Sequence, residues 1–184
     1  MELNVIFGIL LAGILSNNTA LLHFLGTGAV IENERTTKQS VLLGLGSMLV
    51  MVIATAITWP LNKYVLETVP YLQTMAFVFV VLLVVETLHM VARKLLDNYC
   101  HANFVKFAIN GAVLGLCIHN TELSFVEAIV TAVAVGLGFM LTMTLFARLH
   151  NSLDESEVPA SFRGLPIALL TAGMITLALM ALNF

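Results

Sequence analysis

Asn18-Thr19-Ala20-Leu21-Leu22, in the first apolar span, returns as Asn110-Gly111-Ala112-Val113-Leu114 in the fourth. The step is 92 residues, half of the 184-residue chain. The same step carries Gly44-Leu45-Gly46-Ser47-Met48-Leu49-Val50-Met51 onto Gly136-Leu137-Gly138-Phe139-Met140-Leu141-Thr142-Met143, with six of eight positions identical. Two matches at one offset, with no gap between them, mark a duplicated half: repeat one is 1–92 and repeat two is 93–184. Each half holds three apolar spans. An odd number of crossings makes the second copy enter the membrane from the opposite side, which is the inverted-repeat design of many transport proteins. The expected fold is therefore all-α: six transmembrane helices as two inverted three-helix repeats, with the first and fourth helices broken at their asparagines. In that design the working site lies near the midplane, between the broken helices.

Composition requires a membrane. Hydrophobic residues make up 59% of the chain and charged residues 10%, with a mean hydropathy of +0.98. A soluble domain averages about 45–50% apolar and about 25% charged residues, and one core could not bury the excess. The chain is expected to be a single integral membrane domain over 1–184. A net charge of −3 gives no reason to expect a nucleic-acid partner. Met1-Glu2 leads straight into the first span with no basic flank, so no cleavable signal peptide is expected. The two cysteines, Cys100 and Cys117, do not have metal-motif spacing and read as free membrane thiols.

Spans of about 20 apolar residues are expected near 3–30, 39–61, 70–92, 103–119, 123–147 and 164–183. Ser16-Asn17-Asn18 divides the first, and Asn110-Gly111 interrupts the fourth. Pro60, Pro70, Pro159 and Pro166 are placed at span ends, where a missing N–H costs little. Glycines inside the spans, among them Gly44 and Gly136, are expected to serve close helix packing.

Ionisable and amide groups inside spans are costly. Glu86 and His89 share a helix face at i and i+3. They read either as an ion- or proton-handling pair or as an interfacial pair reaching toward Arg93 and Lys94. Glu127, near the start of the fifth span, reads as a structural carboxylate at a helix N-terminus. His23 reads as packing. Asn17, Asn18 and Asn110 are candidate helix-break residues. A mid-membrane amide must find a partner, and at a break it can cap the half-helix that follows.

These residues resemble a known family. Asn17-Asn18-x-x-Leu21-x-x-Phe24-Leu25-Gly26 is similar to the first span, and Asn110-x-Ala112-Val113-Leu114-Gly115 to the fourth span, of the six-helix subunits of the Rnf complex and the sodium-pumping NADH:quinone reductase. Val158-Pro159-Ala160-Ser161-Phe162-Arg163-Gly164, followed by Ile167-Ala168-Leu169-Leu170-Thr171-Ala172-Gly173-Met174, resembles the C-terminal segment of the A-type Rnf component and the E-type reductase component. The resemblance covers essentially the whole chain. It implies a membrane subunit that helps couple transmembrane electron transfer to Na+ or H+ movement, with the isolated chain not itself catalytic. It also implies a homologous six-helix partner of opposite orientation, further redox subunits and an inner-membrane location. In the family, two cysteines from each such subunit hold a shared intramembrane [2Fe-2S] cluster. At the matching positions this chain has Gly28 and Gly111. Clusters are held by thiolates, so no cofactor or metal is expected to be bound by this chain alone. Relatives carry Gln and Glu in a Q-x-x-E spacing where this chain has Glu86 and His89. Two other readings stay open: a non-redox inverted-repeat transporter, and a structural partner of a cysteine-bearing paralogue.

Basic residues set the orientation. Arg35, Lys38, Arg93, Lys94, Lys106, Arg148 and Arg163 fall on one side of the expected topology, and only Lys63 falls on the side of the termini. By the positive-inside rule both termini face outward. A cysteine placed at Glu155 should therefore resist an impermeant thiol reagent outside intact cells and react in inverted vesicles; labelling from outside overturns the orientation.

Overall fold

The computed structural model describes residues 37–95, 111–154 and 165–181, together with Gly8 and Pro159. Every element in these residues is helical. We number the α-helices α1 (Thr37–Tyr64), α2 (Gln73–Leu95), α3 (Gly111–His119), α4 (Phe125–Asp154) and α5 (Leu165–Ala181). Short 3₁₀ turns at Leu66–Thr68 and Pro70–Leu72 join α1 to α2, and one at Asn120–Glu122 joins α3 to α4. Three helices are long and apolar enough to cross a membrane: Ser40–Tyr64 of α1, Gln73–Val91 of α2 and Phe125–Leu149 of α4. Within α5, Pro166–Ala178 is a shorter apolar helix.

The second, third, fifth and sixth expected spans correspond to α1, α2, α4 and α5, and the second part of the fourth span to α3. The first span, with Asn17, Asn18, His23 and Gly28, lies outside the described residues, as do Asn110 and Cys100. Two boundaries differ from the sequence reading. Pro60 is inside α1, which continues to Tyr64. Its missing N–H withdraws only the bond to Ala56, and one lost bond near a helix end does not stop the last turn. The fifth helix continues past its apolar part to Asp154. The residues Arg148–Asp154 include no Gly or Pro to stop it.

The centre of the fold is the pair α1 and α4. Their buried faces repeat under the 92-residue step: Ser40, Leu43, Ser47, Val50, Met51, Ala54 and Thr55 on α1 match Ala132, Val135, Phe139, Thr142, Met143, Phe146 and Ala147 on α4, all buried. The spacing is that of one helical face. A Cβ built on Gly44 would lie 2.7 Å from Met140 Cγ and 2.8 Å from its Cα. A Cβ on Gly136 would lie 2.7 Å from Met48 Cγ and 3.0 Å from its Cα. The 92-residue step exchanges these two contacts. One number rises along α1 as the other falls along α4, so the helices cross antiparallel, related by a two-fold axis perpendicular to both. α2 packs on α1 and α3 through Phe77, Val81, Val84 and Val85, and α5 packs on α4.

Hydroxyls within these helices bond back to their own backbone. Ser47 Oγ donates to Leu43 O at 3.1 Å, Thr142 Oγ1 to Gly138 O at 2.9 Å, and Thr171 Oγ1 to Ile167 O at 2.9 Å. Such bonding satisfies polar groups where lipid offers no partner.

Because each glycine faces atoms at or next to the opposing backbone, Gly44→Ala and Gly136→Ala should each cost about 1–3 kcal/mol by overpacking. Gly173, with nothing within 4 Å of its Cβ position, is the control, and Gly173→Ala should be neutral or slightly stabilising. Thermal unfolding in detergent reads all three; wild-type stability in both crossing variants would show that the helices part at no cost.

Candidate functional site

Two places in the described residues hold polar groups that the helices do not satisfy themselves. The first is the Glu86–His89 pair on α2. One turn separates the residues, as their spacing requires. Glu86 is exposed, and His89 is half-buried. His89 Nε2 is buried and makes no hydrogen bond, so the imidazole is not paired to Glu86 through that nitrogen. The side chains of Arg93 and Lys94 lie outside the described residues. The exposed face of α2 around the pair holds Phe79, Leu82, Leu83 and Met90, with Thr87 bonded back to its own helix. An ionised carboxylate on such a face costs about 2.5–3.5 kcal/mol on insertion scales.

The second place is where α3 ends and α4 begins. Gly111 is the first residue of α3 and is exposed. With no side chain it presents no donor for a metal. Cys117 is six residues further along, a displacement of about 9 Å along the axis and about 120° around it. It is buried and free. Among the described residues no three His, Cys, Asp or Glu side chains come together in a way that could hold a metal. The donor set on α3 thus does not fit an iron–sulfur cluster at Gly111, and Gly28, outside the described residues, is likewise a residue without a donor.

One helical step beyond Cys117, Asn120 is 1% exposed. Its Nδ2 donates to Ala128 O at 3.1 Å and to Thr55 Oγ1 at 3.4 Å, while Oδ1 has no partner. Thr58 Oγ1 donates to Ala54 O at 2.8 Å. Neighbouring contacts fix this end of the bundle. Trp59 Nε1 donates to Leu123 O at 2.9 Å, and its ring meets that of Phe125 edge-on at 5.2 Å. Lys63 Nζ lies 4.8 Å from the centre of the indole. Ser124 caps α4: Glu127 Oε2 accepts from Ser124 N–H at 3.1 Å and from Ser124 Oγ at 2.8 Å. This is the glutamate half of a Ser-x-x-Glu box, and it gives Glu127 the structural role expected of it. The box is legible in Ser124-Phe125-Val126-Glu127. The Thr55–Asn120 contact spans 65 positions, and no local pattern announces it.

A sequence model of the Rnf-Nqr subunit family of membrane proteins matches residues 6–184. The chain is 37% identical over 179 residues to the A-type component of the ion-translocating oxidoreductase complex of Syntrophotalea carbinolica, covering 94% of this chain and 93% of the relative. It is 33% identical over 182 residues to the A-type component of the Na(+)-translocating ferredoxin:NAD(+) oxidoreductase complex of Acetobacterium woodii, covering 95% of each. It is also 33% identical over 174 residues to the A-type component of the ion-translocating oxidoreductase complex of Serratia proteamaculans, covering 91% and 90%. With nearly every residue matched and three apolar helices long enough to span a bilayer, the chain belongs to the Rnf-Nqr subunit family of membrane proteins.

Proposed function

We propose that this protein is the A-type membrane component of an Rnf-like ion-translocating oxidoreductase complex, in which electron transfer drives Na+ or H+ across the inner membrane. The observation that carries this is end-to-end similarity to A-type components named for such complexes. The chain supplies membrane scaffold and part of the ion path, and the redox reaction belongs to the complex as a whole. Both termini face outward. Its fold is the six-helix inverted repeat, supported by the reciprocal crossing of α1 and α4. A homologous six-helix subunit of opposite orientation packs against it, with further redox subunits on either side.

Glu86 and His89 are the ion-path candidates on α2, and Asn17, Asn18 and Asn110 hold the helix breaks. A carboxylate and an imidazole one turn apart can bind a cation or pass a proton, and His89 Nε2 has no hydrogen-bond partner among the described residues. Glu86→Gln keeps the shape and removes the charge. It should lower ion-coupled turnover of the assembled complex while leaving assembly intact. His89→Leu removes a buried nitrogen that has no partner among the described residues. Leaving such a group unpaired costs about 1–3 kcal/mol, so the isolated subunit should unfold no earlier than wild type. A lower melting temperature for His89→Leu in the isolated subunit would show that the chain itself satisfies the imidazole.

We propose further that no [2Fe-2S] cluster is ligated by this chain, because Gly28 and Gly111 occupy the positions where the resemblance places thiolates. Purification of the native assembly tests both proposals. Flavin- and ferredoxin-type subunits should co-purify, and iron analysis with EPR after Gly111→Ala should match the wild-type complex. A lone functional chain sinks the complex, and an iron–sulfur signal altered by substituting Cys117 sinks the thiol-free reading.

A further inference from the structure

The connection between α1 and α2, residues 65–72, carries an apolar surface at the end of α2 opposite to the Glu86–His89 pair. Tyr64 and Tyr71 are each 81% exposed, and Val65, Leu72 and Met75 beside them in sequence are exposed as well. Phe125 and Val126, at the start of α4, are exposed at the same end of the bundle. Bulk water is a poor neighbour for so many apolar side chains.

Three observations say what covers them. The first is length. Ser40–Tyr64 of α1 and Phe125–Leu149 of α4 are apolar spans of 25 residues each. At 1.5 Å per residue such a span is about 37 Å long. That exceeds the hydrocarbon core, about 30 Å, and falls short of the bilayer with its headgroups, about 40–45 Å. The Trp59 and Phe125 rings meet at 5.2 Å, so α1 ends near the level where α4 begins. A connection that begins at Tyr64 therefore begins among headgroups, short of bulk water.

The second is the backbone. Val65 N–H donates to Leu61 O at 3.1 Å, Val69 N–H to Leu66 O at 3.0 Å and Leu72 N–H to Val69 O at 3.0 Å. Thr68 Oγ1 donates to Val65 O at 3.0 Å. Leu66, 5% exposed, ties the turn to the core. A loop in water can leave such groups to solvent, whereas a chain at membrane depth must satisfy them itself.

The third is the repeat. The 92-residue step carries Trp59, Tyr64, Val65 and Tyr71 onto Asn151, Ser156, Glu157 and Arg163. The corresponding stretch of the duplicated half is polar, so the scaffold does not require aromatic residues here. Tyrosine and tryptophan concentrate at membrane–water interfaces, with the ring toward the apolar layer and the polar atom among headgroups. Lys63 Nζ, 4.8 Å from the centre of the Trp59 ring, adds a cation that lipid phosphate can accept while its stem covers apolar surface.

We propose that residues 64–72, with Trp59 and Lys63, form an interfacial anchor whose partner is the phospholipid headgroup layer, not water and not another subunit. The anchor needs only the membrane, and its failure leaves the complex untouched.

The test uses the native complex in vesicles of phosphatidylethanolamine and phosphatidylglycerol. Tyr71→p-benzoylphenylalanine places at the connection a photoprobe that inserts into C–H bonds and does not react with water. After irradiation, the intact mass of this subunit should rise by that of one phospholipid. Tyr64→p-benzoylphenylalanine should behave alike, and it keeps the test valid if the first variant does not assemble. Absence of a lipid adduct overturns the proposal: a link to another subunit makes the face a protein interface, and no added mass leaves it in water. Co-purification of redox subunits is read separately in the same preparation, so the anchor and the complex stand or fall apart.

Discussion

The approach of α1 to α4 at Gly44 and Gly136 is the constraint on which the other contacts depend. In water, apolar helices are driven together by burial. In lipid that drive is absent, because a neighbouring helix is no more apolar than an acyl chain, and association rests on close van der Waals contact. Gly44 and Gly136 supply that contact by leaving the Cα and Cγ atoms of Met140 and Met48 the space a methyl would fill. Each glycine faces the methionine that follows its counterpart by four residues, so one motif, used twice in opposite directions, makes both halves of the contact. The rest is attached to this pair: α2 and α3 pack on α1, and α5 packs on α4.

Polar groups divide into those the helices satisfy alone and those they do not. Ser47, Thr87, Thr142, Thr144, Thr171 and Thr176 each donate to a carbonyl one turn back. They can therefore face lipid or protein at little cost. Asn120 Oδ1 and His89 Nε2 have no such bond. The unsatisfied atoms therefore fall on Asn120 and His89. One lies at the Lys63 end of the bundle and the other a turn before Arg93 and Lys94, toward the opposite end of α2.

Much of the fold was legible because lipid imposes a simple rule on sequence. Runs of apolar residues mark α1, α2, α4 and α5 within a few positions, and the 92-residue repeat anticipates the Gly44 and Gly136 contacts. Pro60 was misplaced because a proline near a helix end removes a single hydrogen bond, which the packing of α1 on α4 outweighs. The extension of α4 to Asp154 was missed because hydropathy marks the membrane boundary, not the helix boundary. At the site, the spacing of Glu86 and His89 was readable from helical geometry, but the orphan nitrogen was not, since burial of one ring atom depends on neighbours from other helices. Asn120 escaped notice for the same reason. Its partners, Thr55 and Ala128, lie on two other helices, and a single asparagine after His119 looks like an ordinary turn residue.

The two glycines where thiolates would stand bear on how the complex moves electrons. A metal site tolerates ligand displacements of about 0.2 Å, whereas Cys117 is displaced from Gly111 by about 9 Å along the helix. No side-chain rotation closes that gap, and unwinding α3 to do so would expose backbone groups that lipid cannot satisfy. The thiol is also buried in the packed core. On the proposal that this chain ligates no cluster, a carrier of electrons crossing the membrane beside it would be held by other chains.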